Sequence, residues 1–180
     1  MFFSVQQFFE GLLWLSLTNN INPGYGKIFT FIFLIFAQVV WPTWVPFSIW
    51  LIEKNASRKR ILSVCVVIGI IVSVYLGYSL IKYPVSAIVS AHHIRYDIDF
   101  PLSGLKFLSI LYFIPTVIAP ILSTVNKVWI IGISALLAYI TSRLLFQDYV
   151  ISIWCFFAAT ISITIFYVIW HMQKAAAVVN

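Results

Sequence analysis

The chain has 180 residues, of which 62% are hydrophobic, 18% aromatic and 9% charged. A soluble domain of this size carries about a quarter charged residues, so the composition excludes an ordinary soluble protein and predicts an integral membrane protein. The formal net charge is +6, but the basic residues fall in loops and at segment ends. This placement favours contact with lipid headgroups over nucleic-acid binding, so we expect the lipid bilayer as a partner and no nucleic acid.

Long apolar segments alternate with polar connections along the whole chain. This pattern predicts an all-α polytopic transmembrane helix bundle with six spanning helices in a single domain, residues 1–180. The predicted helices are Phe2–Leu17, Ile28–Ile52, Ile61–Ile81, Phe107–Leu122, Val128–Leu145 and Val150–Trp170.

The first segment carries Gln6, Gln7 and Glu10 on an otherwise apolar helix. Spacings of three and four residues place all three on one face. A carboxylate inside lipid costs roughly 2.5–3.5 kcal/mol on insertion scales, so we expect Glu10 to be protonated or matched with a cation from another helix. An intramembrane acid is a functional candidate by default. The alternative is a polar clasp between helices.

The second segment contains Pro42 and Pro46, and the fourth contains Pro115 and Pro120. Because each proline removes a backbone hydrogen bond, we predict a kink or break near the middle of the second helix and a bend in the fourth. Irregular backbone at membrane depth needs protein or water around it. The second helix is therefore expected to line an interior cavity beside Gln38, although a simple packing kink explains the prolines equally well.

The loop Glu53–Arg60 holds four of the eleven Lys and Arg residues. By the positive-inside rule it lies in the cytoplasm. This orientation puts both termini in the cytoplasm and residues 82–106 on the outer side of a cell inner membrane.

Residues 82–106 are predicted to be an extramembrane or partly re-entrant segment, beginning with a short helix over residues 84–91. The polar run His92–Asp99 follows, and its imidazole, phenol and carboxylate groups suit acid–base chemistry or cation binding. Adjacent histidines diverge on a helix or a strand, so a metal site is the less favoured interpretation. Its candidate ligands are Glu10, His92, His93 and Asp97. The alternative is a solvated loop with an Arg95–Asp97 ion pair.

These polar residues are predicted to form an intramembrane pocket that binds a small ligand or cation. The pocket suits a membrane-embedded enzyme in which Glu10 and His93 are the catalytic acid–base pair. The predicted ligand-binding residues are Gln6, Gln7, Gln38, Tyr96 and Asp97. Two other functions fit the same residues: a small proton-coupled transporter with the proline bends as hinges, and a scaffold without chemistry. The pattern identifies no cofactor, substrate or oligomeric state. Ser152, Cys155, Ala159 and Ser162 form a small-residue stripe that indicates close helix packing.

Two motifs are distinctive: Gln-Gln-x-x-Glu-Gly over residues 6–11 and Trp-Cys-Phe-Phe-Ala-Ala over residues 154–159. With the runs 37–42, 93–97 and 115–120, they make the chain resemble a family of bacterial integral membrane proteins of unknown function. The resemblance covers essentially the whole chain. It implies a further helix ahead of the Gln-Gln helix, seven in all, but no activity. It also implies that recurring motifs contain Gln6, Gln7, Glu10, His93, Tyr96, Asp97, Trp154 and Cys155.

Overall fold

The computed structural model describes residues 2–19, 23–90, 92–100 and 110–179, without the side chains of residues 23, 164 and 171–179. Six helices and one β-hairpin occupy these ranges. Helix α1 is Phe2–Thr18, and α2 runs on through Pro23–Ile35, a π-helical turn Phe36–Val40 and Trp41–Ile52. Helix α3 is Ala56–Lys82, strands β1 and β2 are Val85–Ser90 and His93–Ile98, and α4 is Ile110–Leu122. Helix α5 is Val128–Leu145, and the 3-10 turn Gln147–Tyr149 leads into α6, Val150–Val179.

The predicted helix bundle is confirmed, and the predicted α5 agrees with the observed one at both ends. Four helices in the described ranges are long and apolar enough to cross a membrane, over residues 24–52, 56–82, 128–145 and 147–170. Helices α1 and α4 are shorter. The outer helix faces are apolar, with Val74 67%, Leu144 71% and Ile163 74% exposed. Because such surfaces are unfavourable in water and favourable in lipid, the fold is that of a membrane-embedded protein.

Pro42 determines the backbone geometry in the middle of α2. In the π-helical turn before it, the Trp41 N–H bonds to the Phe36 carbonyl, one residue further back than in an α-helix. The Ala37 carbonyl therefore lacks an intrahelical donor, since the next residue, Pro42, has no N–H. The Tyr112 hydroxyl of α4 donates to this carbonyl at 2.5 Å, and the Ser73 hydroxyl of α3 donates to the Val39 carbonyl at 2.6 Å. The predicted distortion is confirmed, but it is a π-turn inside a continuous helix and not a break.

Helix α3 crosses α2 at Gly69. Pro46 supplies no N–H to the Pro42 carbonyl four residues earlier, and Gly69 packs directly against that oxygen. A Cβ atom on Gly69 would lie 2.0 Å from the Pro42 oxygen and 3.4 Å from the Pro115 Cβ. Only a hydrogen fits there, which allows a weak Cα–H···O contact. Gly69 thus lets α3 pack between the two proline-containing helices.

Strands β1 and β2 form an antiparallel hairpin, in register from Val85 opposite Ile98 to Ser90 opposite His93. The predicted helix over residues 84–91 is therefore wrong. β-Branched residues are frequent in β1, and the exposure of its first five residues alternates as in a half-buried strand. The Ser90 hydroxyl lies 3.0 Å from the Tyr149 hydroxyl, so the hairpin is attached to the α5–α6 connection. Residues 101–109, which include the end of the predicted extramembrane segment and the start of the predicted fourth helix, lie outside the described ranges.

Glu53 joins the two connections at the opposite end of the bundle. Its carboxylate accepts hydrogen bonds from the Asn55 N–H at 3.0 Å, the Ser123 hydroxyl at 2.9 Å and the Thr124 N–H at 2.8 Å. The Thr124 hydroxyl also donates to it. Burial alone would raise the pKa of Glu53, but these hydrogen bonds outweigh it and lower the pKa to about 2. The α2–α3 and α4–α5 connections are thereby held together at this end.

Replacing Gly69 by Ala should destabilise the protein by about 1–3 kcal/mol, because the new methyl group overlaps the Pro42 carbonyl. Gly77→Ala in the same helix is the control. Its Cβ meets only a Val39 methyl at 3.4 Å, so the higher helix propensity of alanine should leave the stability unchanged or slightly raised. Thermal unfolding in detergent measures both, and equal midpoints for the two variants would contradict the close crossing.

Replacing Glu53 by Gln should lower the unfolding midpoint at neutral pH, because the carboxylate that accepts these hydrogen bonds is lost. The folded-state pKa of about 2 lies below the ordinary value of 4.5. The contribution of Glu53 to stability is therefore complete above about pH 4.5 and is lost as the pH falls towards 2. The variant should show a smaller pH dependence of the midpoint over this window. Asp99→Asn, which removes an exposed carboxylate at the other end, is the control and should keep the wild-type midpoint at neutral pH.

Candidate functional site

Glu10 lies in a buried polar cluster between α1, β2 and α6. Its side chain is 9% exposed. One carboxylate oxygen accepts hydrogen bonds from the Ser152 hydroxyl at 2.7 Å and the Tyr96 hydroxyl at 3.3 Å. The other oxygen accepts from the Gln7 amide at 3.1 Å. Three neutral donors therefore surround Glu10. Among the described residues it forms no salt bridge, so of the two alternatives, a protonated acid or a cationic partner, the second is not seen there.

Gln6 extends this cluster to α2. It is fully buried, its amide oxygen accepts from the Trp41 indole N–H at 2.6 Å, and its amide nitrogen donates to the Cys155 sulfur at 3.1 Å. Both ends of the amide are thus used. We call Gln6, Gln7, Glu10, Trp41, Tyr96, Ser152 and Cys155 the polar cluster.

Matching helix spacings bring the two helical halves of the cluster together. Gln6 and Glu10 are four residues apart on the buried face of α1, and Ser152 and Cys155 are three apart on α6. The spacing of Ser152 and Cys155 in the sequence indicated close helix packing. They also supply a hydroxyl to Glu10 and a thiol to Gln6. The matching polar spacing on the two helices was the signal for this pairing.

Strand β2 separates the predicted site residues, because successive side chains of a strand point to opposite faces. Tyr96 faces the bundle, stacks on Phe33 with ring centroids 4.9 Å apart, and reaches Glu10. Burial raises the pKa of the Tyr96 phenol, and the nearby Glu10 carboxylate adds to this effect, so the hydroxyl stays a donor.

His93 and Asp97 lie on the other face of β2, away from the polar cluster. The His93 ring packs 5.2 Å from the Phe146 ring and 5.0 Å from the Tyr149 ring. Asp97 pairs with Arg95 at 3.0 Å, and both side chains are nearly half exposed.

The structure therefore brings Gln6, Gln7, Glu10 and Tyr96 together but places His93 and Asp97 elsewhere. His92 is exposed. Across the described ranges, no three His, Cys, Asp or Glu side chains are grouped as metal ligands. The candidate metal ligands therefore do not lie together in one site: Glu10, His92, His93 and Asp97.

A cavity of about 480 Å³ is lined by residues of α2, α3, α4, α5 and α6 and by Ile98 and Phe100 at the end of the hairpin. Its walls are mainly apolar, and four aromatic side chains contact one another there: Tyr112, Phe113, Tyr139 and Trp154. Their ring centroids are 4.6 to 6.2 Å apart. Cys155 belongs to both the polar cluster and the cavity wall, so the two features adjoin.

Gln38 contributes a buried polar atom without a partner to the cavity wall. Its side chain is 9% exposed. Its amide oxygen is buried and has no hydrogen-bond partner in the described part of the chain. A buried polar atom left unpaired costs about 1–3 kcal/mol. Arg143, at the last turn of α5, adds an exposed positive charge to the cavity lining. The arrangement is therefore a mainly apolar, aromatic space whose wall includes a buried acceptor without a partner in the described part of the chain.

The sequence matches a family of unknown function, DUF6629, over residues 2–179. The chain belongs to the DUF6629 family. This confirms the resemblance to an uncharacterised family. No curated protein and no solved structure matches this DUF6629 chain. Any conclusion on the function of the DUF6629 protein therefore rests on its own residues.

Replacing Ser152 by Ala should destabilise the protein by about 1.5–3 kcal/mol, because Glu10 loses its shortest hydrogen bond in a buried setting. Ser162→Ala, ten residues further along α6, is the matched control and should change the unfolding midpoint little. Thermal unfolding in detergent at neutral pH compares the two. If both variants unfold with the wild-type protein, the Ser152–Glu10 contact contributes nothing to the fold.

Proposed function

We propose that this protein is a membrane-embedded binding protein whose cavity accepts a small, mostly apolar molecule with one hydrogen-bond donor. The observation that carries the proposal is the unpaired, buried amide oxygen of Gln38 in the cavity wall. A ligand hydroxyl or N–H group would satisfy this atom, and the aromatic walls would hold the rest of the molecule.

The size and composition of the cavity support this function. Small-molecule sites are concave, mostly apolar and about 300–1,000 Å³ in volume, with a few polar groups that orient the ligand. The observed 480 Å³ and the unpaired buried oxygen of Gln38 agree with that description. Buried polar groups in proteins are otherwise nearly always paired, so the free oxygen of Gln38 is the feature that a ligand explains.

The charges around the cavity favour a neutral ligand over a cation. Aromatic walls attract cations, but the Arg143 guanidinium at the cavity lining repels them. Glu10, the buried carboxylate of the polar cluster, accepts its hydrogen bonds from Ser152, Tyr96 and Gln7 and is not among the lining residues. A neutral amphipathic molecule therefore fits better than the cation considered from the sequence.

The polar cluster would then position the cavity wall. Gln6 is hydrogen-bonded to Trp41 of α2 and to Cys155 of α6, which aligns α2 with α6. An acid–base role for Glu10 and His93 stays a prediction, and so do ligand-binding roles for Gln6, Gln7, Tyr96 and Asp97. Proton-coupled transport through Glu10 also stays a prediction.

The proposed location is a bacterial inner membrane with the Glu53–Arg60 connection and both termini in the cytoplasm. Support comes from the four apolar helices and from the accumulation of positive charge in that one connection.

Two brominated probes test the binding function, because bromine quenches tryptophan fluorescence on contact and Trp154 lines the cavity. The first is ω-bromoundecanol, which has a hydroxyl donor, and the second is bromoundecane, which lacks one. The alcohol should quench the purified wild-type protein at lower concentration than the alkane. Trp154→Phe should remove most of the saturable quenching by either probe.

Gln38→Leu should weaken binding of the alcohol about tenfold, the value of one hydrogen bond of about 1.4 kcal/mol, and leave binding of the alkane unchanged or tighter. A buried acceptor rejects a molecule that cannot pair with it, and leucine removes that penalty. Equal binding of alcohol and alkane to the wild type, or an unchanged alcohol affinity in Gln38→Leu, would contradict the proposal.

A further inference from the structure

We propose that the Glu53 end of the bundle carries a binding site for the headgroup of an anionic phospholipid. The site consists of Lys54, Arg58, Lys59 and Arg60 at the α2–α3 connection and Lys127 at the start of α5. We call these five residues the basic surface. It is separate from the cavity and does not depend on the proposed function.

Glu53 brings the two parts of the basic surface together without neutralising them. Its carboxylate is satisfied by Asn55, Ser123 and Thr124, which are all neutral donors. Lys127 follows three residues after Thr124, so the hydrogen bonds of Glu53 place it at the same end as the α2–α3 connection. A carboxylate that would ordinarily pair with these cations is therefore used to hold two loops in place.

The other four acidic residues of the chain lie elsewhere. Glu10 is inside the polar cluster and Asp97 is paired with Arg95, while Asp99 and Asp148 belong to the hairpin and the α5–α6 connection. The salt bridge that the described residues contain is Arg95–Asp97, at the hairpin end. The basic surface thus keeps its positive charge for a partner.

Two of the lysines are held in position by aromatic side chains. The Lys59 ammonium lies 4.7 Å from the centre of the Trp50 ring, and the Lys127 ammonium donates to the Tyr167 hydroxyl at 2.9 Å. Arg58 and Arg60 are exposed. The N-terminus of α3, capped by Asn55, adds partial positive charge to the same surface.

The neighbouring surface identifies the partner as a lipid and not a soluble anion. Leu51, Ile52, Ile61 and Val64 flank the basic residues along α2 and α3, and each is 43–58% exposed. Acyl chains would cover these side chains while the phosphate contacts the cations. Basic groups beside an apolar helix surface, with aromatic residues at the boundary, are the arrangement that recognises anionic lipids at the membrane interface.

Dioctanoyl phosphatidylglycerol and dioctanoyl phosphatidylcholine, added to the protein in uncharged detergent, test the site. Native mass spectrometry counts the bound lipids, and thermal unfolding measures the stabilisation. The wild type should retain phosphatidylglycerol at lower concentration than phosphatidylcholine, and added salt should reduce this preference. Inorganic phosphate at equal concentration should not stabilise the protein.

Arg58→Gln/Arg60→Gln should weaken phosphatidylglycerol binding about 25-fold, since each basic residue near an anionic lipid contributes about fivefold. Lys27→Gln/Lys82→Gln removes two cations from the opposite end and should keep the wild-type preference. Equal binding of the two lipids to the wild type would overturn the proposal, as would equal losses in both double variants. Stabilisation by inorganic phosphate alone would replace the lipid with a soluble anion and overturn it too.

Discussion

The missing N–H of Pro42 is the constraint on which the centre of the structure depends. A proline inside a membrane helix leaves carbonyl groups without donors, and these must be satisfied within the protein because lipid offers none. Helix α2 responds with a π-turn, and Tyr112 and Ser73 donate to the carbonyls of Ala37 and Val39. Helices α3 and α4 are held against α2 by these contacts. The same turn carries Gln38 into the cavity wall.

The polar cluster and the cavity are two sides of one arrangement of helices. Gln6 uses both ends of its amide to connect Trp41 of α2 with Cys155 of α6. Beyond Cys155 the lining becomes aromatic and apolar, and the buried Gln38 oxygen has no hydrogen-bond partner among the described residues. On the far side, Tyr96 seals the cluster by stacking on Phe33 while its hydroxyl reaches Glu10. The polar cluster, whose side chains are hydrogen-bonded to one another, therefore borders a cavity with an unpaired acceptor in its wall.

Much of the fold could be predicted from the sequence, because helices that cross lipid need long apolar segments, and such segments are visible in the sequence. The α5 bounds, the distortion near Pro42 and the shared face of Gln6 and Glu10 all follow from periodicity and proline chemistry. The hairpin could not be predicted in this way, because a short segment with several β-branched residues is ambiguous between helix and strand until its partner is known. That error also affected the site: whether His93 or Tyr96 faces Glu10 depends on the alternation of a strand. The free oxygen of Gln38 depends on where every neighbouring donor is directed, which is a tertiary property.

The two faces of β2 have different surroundings. The register of the hairpin therefore determines which charge lies beside Glu10 as well as how the strand packs. A slip of one residue in the pairing of Val85–Ser90 with His93–Ile98 would turn every side chain of the strand to the opposite face. Arg95 or Asp97 would then replace Tyr96 beside Glu10. A neutral hydroxyl would give way to a full charge, attractive in one direction of slip and repulsive in the other. A slip of one residue in the hairpin would thus place a full charge beside Glu10, a buried acid far away in the sequence.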